Sequence, residues 1–423
     1  MSHIYHDLYR ERLCRGTHRD KERPILINNW EATYFDFNNE KIKEIAKESS
    51  KLGIELFVLD DGWFGERNND DCSLGDWFVN EEKLKGGLNS LATDINKMGM
   101  QFGLWFEPEM ISPKSKLYEE HPDWCIHIDG RTRSEARKQL ILDLSRDEVC
   151  EAVIKMITDV LKSAPISYVK WDMNRNMTEI GSTAWPAKKQ KEIAHRYMLG
   201  LYKILENITS NFPNILFESC SGGGGRFDGG MLYYMPQTWT SDDTDAIERL
   251  MIQEGTSLVY PTSSMGSHVS AVPNHQVHRI TPLNTRGVVA MAGSFGYELD
   301  VTKMNEEEKE EVKKQVEFYK NIRSTVQFGD LYRLKSSFDS NEAAWMNLSK
   351  DGKEVVVSYV KKYAEANVIP RRLKVKALDE NSLYEVIETG EVFGGDELMY
   401  IGLEIGELMG DYQAKNWTLR KVD

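Results

Sequence analysis

The chain is poor in cysteine, carries no excess of basic charge and has no long apolar run. Its five cysteines, Cys14, Cys72, Cys125, Cys150 and Cys220, are odd in number and scattered, and none falls in a Cys-x-x-Cys. That argues against a disulfide framework or a zinc ribbon and suits free thiols in a reducing compartment. A formal net charge of −14 argues against nucleic acid and anionic membrane as partners. No stretch approaches the roughly 20 apolar residues needed to span a bilayer. The start, Met1-Ser2-His3-Ile4-Tyr5-His6-Asp7, lacks the charged-then-apolar layout of a secretory signal. Solenoid-type repeats and low-complexity tracts are also missing. The expectation is a soluble, cytoplasmic protein without nucleic-acid or membrane partners.

What is present is a rhythm. The 423 residues suffice for one large domain and a smaller one. From about residue 24 to residue 327, short apolar runs alternate with helical stretches. Pro24-Ile25-Leu26-Ile27 ends in Asn28-Asn29-Trp30, and Ile54-Glu55-Leu56-Phe57-Val58-Leu59 ends in Asp60-Asp61-Gly62-Trp63. Gln101-Phe102-Gly103-Leu104 ends in Trp105-Phe106-Glu107-Pro108-Glu109. The fourth run climbs to Asp172, the fifth (Ile215-Leu216-Phe217) reaches Glu218-Ser219-Cys220, and the sixth reaches Trp239 and Asp242. Ser257-Leu258-Val259-Tyr260 and Val288-Val289-Ala290-Met291 are candidates for the seventh and eighth. Helices are expected over 39–52, from about Asp147, and over 305–319, the last with a capping Asn305 and acidic residues in its first turn.

Eight βα units predict an α/β fold, a (β/α)8 TIM barrel over 24–327. An open doubly wound sheet would concentrate chemistry at one switch point. Here polar residues close most of the runs, as they do on the rim of a barrel. Beyond residue 328 the texture becomes antiparallel: Val355 to Val360 and the alternating Leu373-Lys374-Val375-Lys376-Ala377 read as strands, with Asp351-Gly352 and Gly394-Gly395 as turns. Residues 328–423 are assigned to a small C-terminal β-sandwich. Residues 1–23 lack clear periodicity and read as an arm or linker.

Two acidic positions stand out. In Tyr168-Val169-Lys170-Trp171-Asp172-Met173-Asn174-Arg175, strand alternation puts Lys170, Asp172 and Asn174 on one face. A carboxylate beside an ammonium stays ionised, as a nucleophile must; a buried structural Lys–Asp pair fits the same stretch equally well. In Trp239-Thr240-Ser241-Asp242-Asp243-Thr244-Asp245, mutual repulsion should raise the pKa of at least one carboxyl, which suits a general acid. Thr244 or Asp245 could cap the following helix, which leaves Asp242 unexplained by capping. Two carboxylates from two strand ends fit glycoside hydrolysis. Trp30, Trp63, Trp105 and Trp171 at strand ends could face a sugar, with Asp60, Asp61, Asn174 and Arg137 for its hydroxyls. Any one of these tryptophans taken alone reads more readily as core packing than as a sugar platform; four of them at strand ends weaken that reading.

Other features carry less. Gly222-Gly223-Gly224-Gly225 lacks the Lys-Ser/Thr of a P-loop and the dinucleotide spacing, and reads as a tight loop near a ligand. His268, His275 and His278 lack metal-ligand spacing and default to surface or loop positions. No metal and no cofactor are expected.

Several segments together resemble the α-galactosidases of glycoside hydrolase family 36: Arg23 to Ala32, Leu59-Asp60-Asp61-Gly62-Trp63-Phe64-Gly65, Gly103 to Met110, Lys170 to Arg175, Glu218 to Arg226, and the Asp242 segment. The resemblance implies a retaining enzyme with a (β/α)8 barrel and a C-terminal β-sandwich, acting on α-galactoside oligosaccharides such as melibiose and raffinose. It implies Asp172 as nucleophile and Asp242 as acid/base. It matches Asp60 and Asp61 to the galactose 4- and 6-hydroxyls, and Lys170 and Asn174 to ring hydroxyls. Trp30 and Trp105 match aromatic pocket residues, Arg137 a polar rim residue, and Cys220 and Gly222 the loop on the 2-hydroxyl side. Family members also begin with an N-terminal β-sandwich, which the chain is expected to lack, and which bears on stability, substrate range and any homo-oligomer. The rival readings are an α-N-acetylgalactosaminidase or galactosyl transferase on the same scaffold, and a non-catalytic sugar-binding barrel.

Overall fold

The computed structural model describes residues 1–367 and 369–422. Eight parallel strands close into a barrel: β1 (Leu26–Asn28), β2 (Leu56–Leu59), β3 (Gln101–Phe106), β4 (Tyr168–Trp171), β5 (Leu216–Ser219), β6 (Gln237–Trp239), β7 (Met265–Ser270) and β8 (Ser294–Glu298). Each pairs with its sequence neighbour, and Leu26 opposite both Leu56 and Gly296 seals the ring. Strands covered on both faces read as unbroken apolar runs, which is why β2, Leu-Phe-Val-Leu, is buried throughout. The connecting helices begin where local chemistry dictates. Asn38 caps Asn39–Lys51 by accepting from Lys41 N, and Asp147 and Glu148 occupy the positive first turn of Asp147–Ser163.

Strands seven and eight lie elsewhere than expected. Residues 257–260 form the turn that ends the helix Ala246–Thr256. The run Val288 to Ala290 belongs to the helix Leu283–Ala290, and its valines pack on Ala343, Val360 and Ala414 of the C-terminal sheet. The true β7 and β8 are fully buried yet rich in polar residues. They tolerate burial because the polar groups are satisfied: Ser267 Oγ donates to Gln253 Oε1 (2.5 Å) and Ser270 Oγ to Thr244 O (3.0 Å).

The helix Glu306–Phe328 opens with a reciprocal Asn305–Glu308 capping box and runs well past the expected end at Tyr319. A six-stranded antiparallel sheet follows, in the order Asp330–Lys335, Glu342–Leu348, Glu354–Lys361, Gln413–Val422, Leu383–Val386, Glu391–Gly394. Met346, Val357, Tyr359, Trp417 and Leu419 form its core. The alternating stretch from Leu373 shortens to Arg372–Leu373, paired with Leu403–Glu404, and the chain turns farther on at Ala377, φ 59°. The first residues are more ordered than a linker. A helix, Ser2–Leu8, and a π-helical turn, Tyr9–Leu13, fasten the barrel to the sheet. His6 donates to Ser257 O (2.8 Å), His3 to Leu331 O (2.7 Å) and Arg10 to Phe328 O (3.1 Å). Among the described residues no helix is long and apolar enough to cross a membrane.

Candidate active site

Parallel strands deliver their C-terminal ends to one rim. There the chain encloses a cavity of about 200 Å³ lined by Trp30, Glu31, Asp60, Asp61, Trp105, Arg137, Lys170, Asp172, Asn174, Trp239, Asp242, Thr244, His275, Gln276 and Glu298. All the site residues nominated from the sequence line it except Cys220, Gly222, Trp63 and Trp171.

Asp172 follows β4 and is buried. Its Oδ2 accepts from Asn174 Nδ2 (2.7 Å) and Trp105 Nε1 (3.2 Å). Its Oδ1 accepts from Met173 N (2.8 Å) and Gly222 N (3.4 Å). Lys170 lies nearby but does not form the expected ion pair with Asp172. Its Nζ bonds Asp60 Oδ2 at 3.0 Å, because β4 aims the longer side chain across the barrel toward β2. Burial alone would lower the Lys170 pKa, but Asp60, Glu298 and Asp172 together raise it well above its ordinary value.

Asp242 follows β6, and Trp239 Nε1 donates to its Oδ1 at 3.0 Å. Its pKa is pushed up to about 6, first by its recess in the pocket and then by the Asp172 charge, with Lys170 opposing. Repulsion from Asp243 and Asp245 is not the cause. Asp245 instead caps the helix Ala246–Thr256, accepting from Ile247 N and Glu248 N, and pairs with Arg279. Asp172 and Asp242 thus sit in different environments, the first ringed by four donors and the second recessed beside it with one.

Asp60 is fixed by Asn28 Nδ2 (2.6 Å), the Asp61 N–H (2.8 Å) and Lys170. Asp61 pairs with buried Arg67 (2.8 Å). Burial raises the Asp61 pKa against the pull of Arg67. Across the cavity stand two carboxyls that sequence reasoning missed, Glu31 and Glu298. Glu31 takes a hydrogen bond from Thr244 Oγ1 (2.8 Å) and is pushed up to about 8 by burial and the Glu298 charge. Burial would raise Glu298 as well, but the His268 hydrogen bond (3.2 Å) and Lys170 hold it below its ordinary value. Glu31 adjoins Trp30 in sequence and Glu298 ends the true β8, so correct placement of that strand was the available signal.

Three tryptophans face the cavity, but not the expected four. Trp30 is wedged edge-on against Tyr34 and Phe35 (both 5.2 Å), and Trp239 stacks on His268 (4.3 Å). Trp63 and Trp171 are fully buried, with indole N–H groups spent on Trp105 O and Glu109 Oε1. They belong to the core. Arg137 sits at the mouth, 3.7 Å from Asp70. His268 is a buried strand residue bound to Glu298, not a loop histidine, whereas His275 and His278 are exposed. Among the described residues no group of three His, Cys, Asp or Glu side chains is placed to hold a metal ion.

Cys220 is buried behind the cavity wall, and burial together with the Asp172 charge keeps its thiol protonated. Gly222 adopts φ 51° and stands between the two central carboxylates: a Cβ there would lie 3.8 Å from Asn174 Oδ1 and 3.9 Å from Asp242 Oδ2. Gly223 makes the close approach, since a Cβ would meet Ser241 Cα at 2.5 Å. The glycine run therefore presses one backbone against the Asp242 segment and turns another N–H toward Asp172.

A melibiase family model matches residues 1–329, and the C-terminal domain of glycosyl hydrolase family 36 matches residues 342–419. The chain is 63% identical over 422 residues to alpha-galactosidase AgaA of Geobacillus stearothermophilus, covering 100% of this chain and 58% of that protein. It is 52% identical over 423 residues to alpha-galactosidase Mel36A of Lactobacillus acidophilus, again covering 100% of this chain and 58% of the relative. The crystal structure of AgaA superposes with a TM-score of 0.98 over 100% of this chain and 59% of that one. A variant of AgaA in complex with raffinose, 62% identical, gives the same TM-score of 0.98 and the same coverage, 100% and 59%. The chain thus spans 58% of the length of these two curated relatives.

Proposed function

The chain belongs to the melibiase family, and we propose on that premise that it is a retaining α-galactosidase, removing terminal α-linked galactose from oligosaccharides such as melibiose and raffinose by double displacement. Asp172 attacks the anomeric carbon while Asp242 protonates the departing oxygen, giving a covalent galactosyl-enzyme. Asp242 then takes a proton from water, and the configuration is retained. The observation that carries this reading is two carboxyls converging on one rim: Asp172, whose oxygens take four donors, and Asp242, raised to about 6 by its recess in the pocket and by the Asp172 charge. Esterification of Asp172 removes its charge, so Asp242 becomes more acidic at the step where it must act as a base.

The remaining lining residues fit galactose. Asp60 and Asp61 offer acceptors to hydroxyls at positions 4 and 6, Lys170 and Asn174 reach ring hydroxyls, and Trp30, Trp105 and Trp239 supply flat apolar faces. Gly222 borders the 2-hydroxyl side with Cys220 behind it, and Arg137 meets the leaving group at the rim. Five unpaired cysteines support a cytoplasmic setting. The catalytic unit is taken as residues 24–327, with 1–23 as an arm and 328–423 as the C-terminal domain, and a homo-oligomer would be read from the protein's size in solution.

The test is hydrolysis of nitrophenyl α-galactoside and raffinose, with the product anomer followed by NMR and the N-acetylgalactosaminide assayed beside them. Expected are α-galactose as first product, no turnover by Asp172→Ala, and partial rescue by azide as the inverted β-galactosyl azide. A first product of β configuration, or ordinary hydrolysis by Asp172→Ala, removes Asp172 from the nucleophile's role. Galactose binding without turnover would mark a non-catalytic sugar-binding barrel.

A further inference from the structure

Two buried carboxyls in the stretch Phe106-Glu107-Pro108-Glu109 do not touch the cavity. A buried carboxyl is weak evidence of stabilisation, because apolar residues of similar volume often serve the fold as well or better. Each of these two is instead aimed at a group that holds Asp172. Glu107 Oε1 accepts from the Asn174 N–H at 2.5 Å, and Asn174 Nδ2 donates to Asp172 Oδ2 at 2.7 Å. Glu109 Oε2 accepts from Arg226 Nη1 and Tyr197 Oη, each at 2.6 Å. Its Oε1 accepts from Trp171 Nε1 (3.0 Å), the residue immediately before Asp172. Arg226 closes the glycine run whose Gly222 N–H reaches Asp172 Oδ1 at 3.4 Å. Its Nε and Nη2 are buried without a hydrogen-bond partner among the described residues, so Glu109 is the carboxylate that anchors the guanidinium.

We propose that Glu107 and Glu109 are positioning residues for the nucleophile: Glu107 sets the Asn174 arm on one oxygen of Asp172, and Glu109 sets the Trp171 and glycine-loop side on the other. This rests on the reading of Asp172 as nucleophile. Burial and the Asp172 charge push Glu107 up to about 8, so near neutral pH it is a neutral acid whose carbonyl oxygen receives the Asn174 N–H. Glutamine is its close mimic.

The experiment is a double-mutant cycle on turnover of nitrophenyl α-galactoside, using Glu107→Leu, Glu107→Gln, Asn174→Ala and Glu107→Leu with Asn174→Ala. Misplacing a nucleophile by about 1 Å costs on the order of 100-fold. Glu107→Leu should therefore lower kcat by that order with KM within about threefold, since the interaction matters in the transition state and not in ground-state binding. Glu107→Gln should recover kcat to within about threefold, because its carbonyl accepts the same N–H. In the Asn174→Ala background, Glu107→Leu should cost less than about threefold more. Losses that multiply across the cycle, or a Gln variant no better than Leu, overturn the proposal. If circular dichroism shows that Glu107→Leu does not fold, Arg226→Lys tests the other arm: kcat should fall about tenfold at constant KM, and an unchanged kcat overturns the role of Glu109. Azide rescue of Asp172→Ala reports on the nucleophile independently, so a failed cycle beside a successful rescue sinks the positioning role alone.

Discussion

Lys170→Met is the most informative single change, because Lys170 balances several carboxyls at once. The side chains of Lys170 and Asp60 are 9% and 4% exposed and meet at 3.0 Å. Removing one partner of such a pair leaves a buried charge uncompensated, typically at a cost of about 3–5 kcal/mol. Asp60 keeps Asn28 Nδ2 and the Asp61 N–H, so the loss belongs near the lower end, about 3 kcal/mol. The pH dependence follows from the raised Lys170 pKa. A cation raised in the folded state contributes fully below its ordinary value of 10.5, and that contribution is lost only as pH rises through the folded-state value. The Lys170 charge itself therefore adds no pH dependence between about pH 6 and pH 9. The deficit should deepen with rising pH there, because Asp242 and Glu31, which Lys170 restrains, hold their protons to higher pH in the variant. Urea denaturation followed by tryptophan fluorescence at several pH values measures it. Adding Asp60→Asn should restore much of the stability, since the carboxylate that Lys170 bonds directly is then neutral. Kinetics provide a second readout. Lys170 restrains the rise of Asp242, so its removal should move the alkaline limb of kcat/KM to higher pH. A loss below about 1 kcal/mol, or an unmoved limb, would refute the placement of Lys170 at the electrostatic centre.

Other expectations follow from the same geometry. In the proposed mechanism Asp242 must hold its proton to act as an acid, so kcat/KM for raffinose should fall as pH rises above about 6, and Asp242→Asn should abolish that limb together with most of the activity. Trp105→Phe keeps an aromatic face but removes the Nε1 donor 3.2 Å from Asp172, and should lower kcat about tenfold with little change in melting temperature. Gly200 lies on the helix Ile193–Asn211 where a Cβ would meet Leu144 O at 1.8 Å. Gly200→Ala should destabilise the barrel by about 1–3 kcal/mol in chemical denaturation, and a neutral result would mean that the helix shifts freely on its neighbour.

The first six barrel strands were legible because they are buried on both faces and end abruptly in polar residues. The seventh and eighth were not, because Met265–Ser270 and Ser294–Glu298 answer burial with internal hydrogen bonds instead of aliphatic side chains. The apolar run Val288 to Ala290 misled for the converse reason: it serves a contact with the C-terminal sheet, which no local period encodes. Asp172 and Asp242 were visible as carboxyls in unusual company, but their partners were not. Lys170 reaches over to Asp60 on another strand, and the rise of Asp242 comes first from burial and then from Asp172, not from its sequence neighbours. Glu31 and Glu298 escaped notice because their pairing requires the ring to close, bringing the first strand beside the last.

The helix Leu283–Ala290 has a consequence for anyone who would trim this molecule. Its outer face is covered by the C-terminal sheet, with Asn284 Nδ2 bound to Ala414 O (3.0 Å) and Thr285 Oγ1 to Tyr412 O (2.6 Å). It leads directly into β8 and so to Glu298. A barrel expressed without the sheet would present a raw apolar flank and a slackened final stave, so minimised versions must redesign that helix before they shorten the chain.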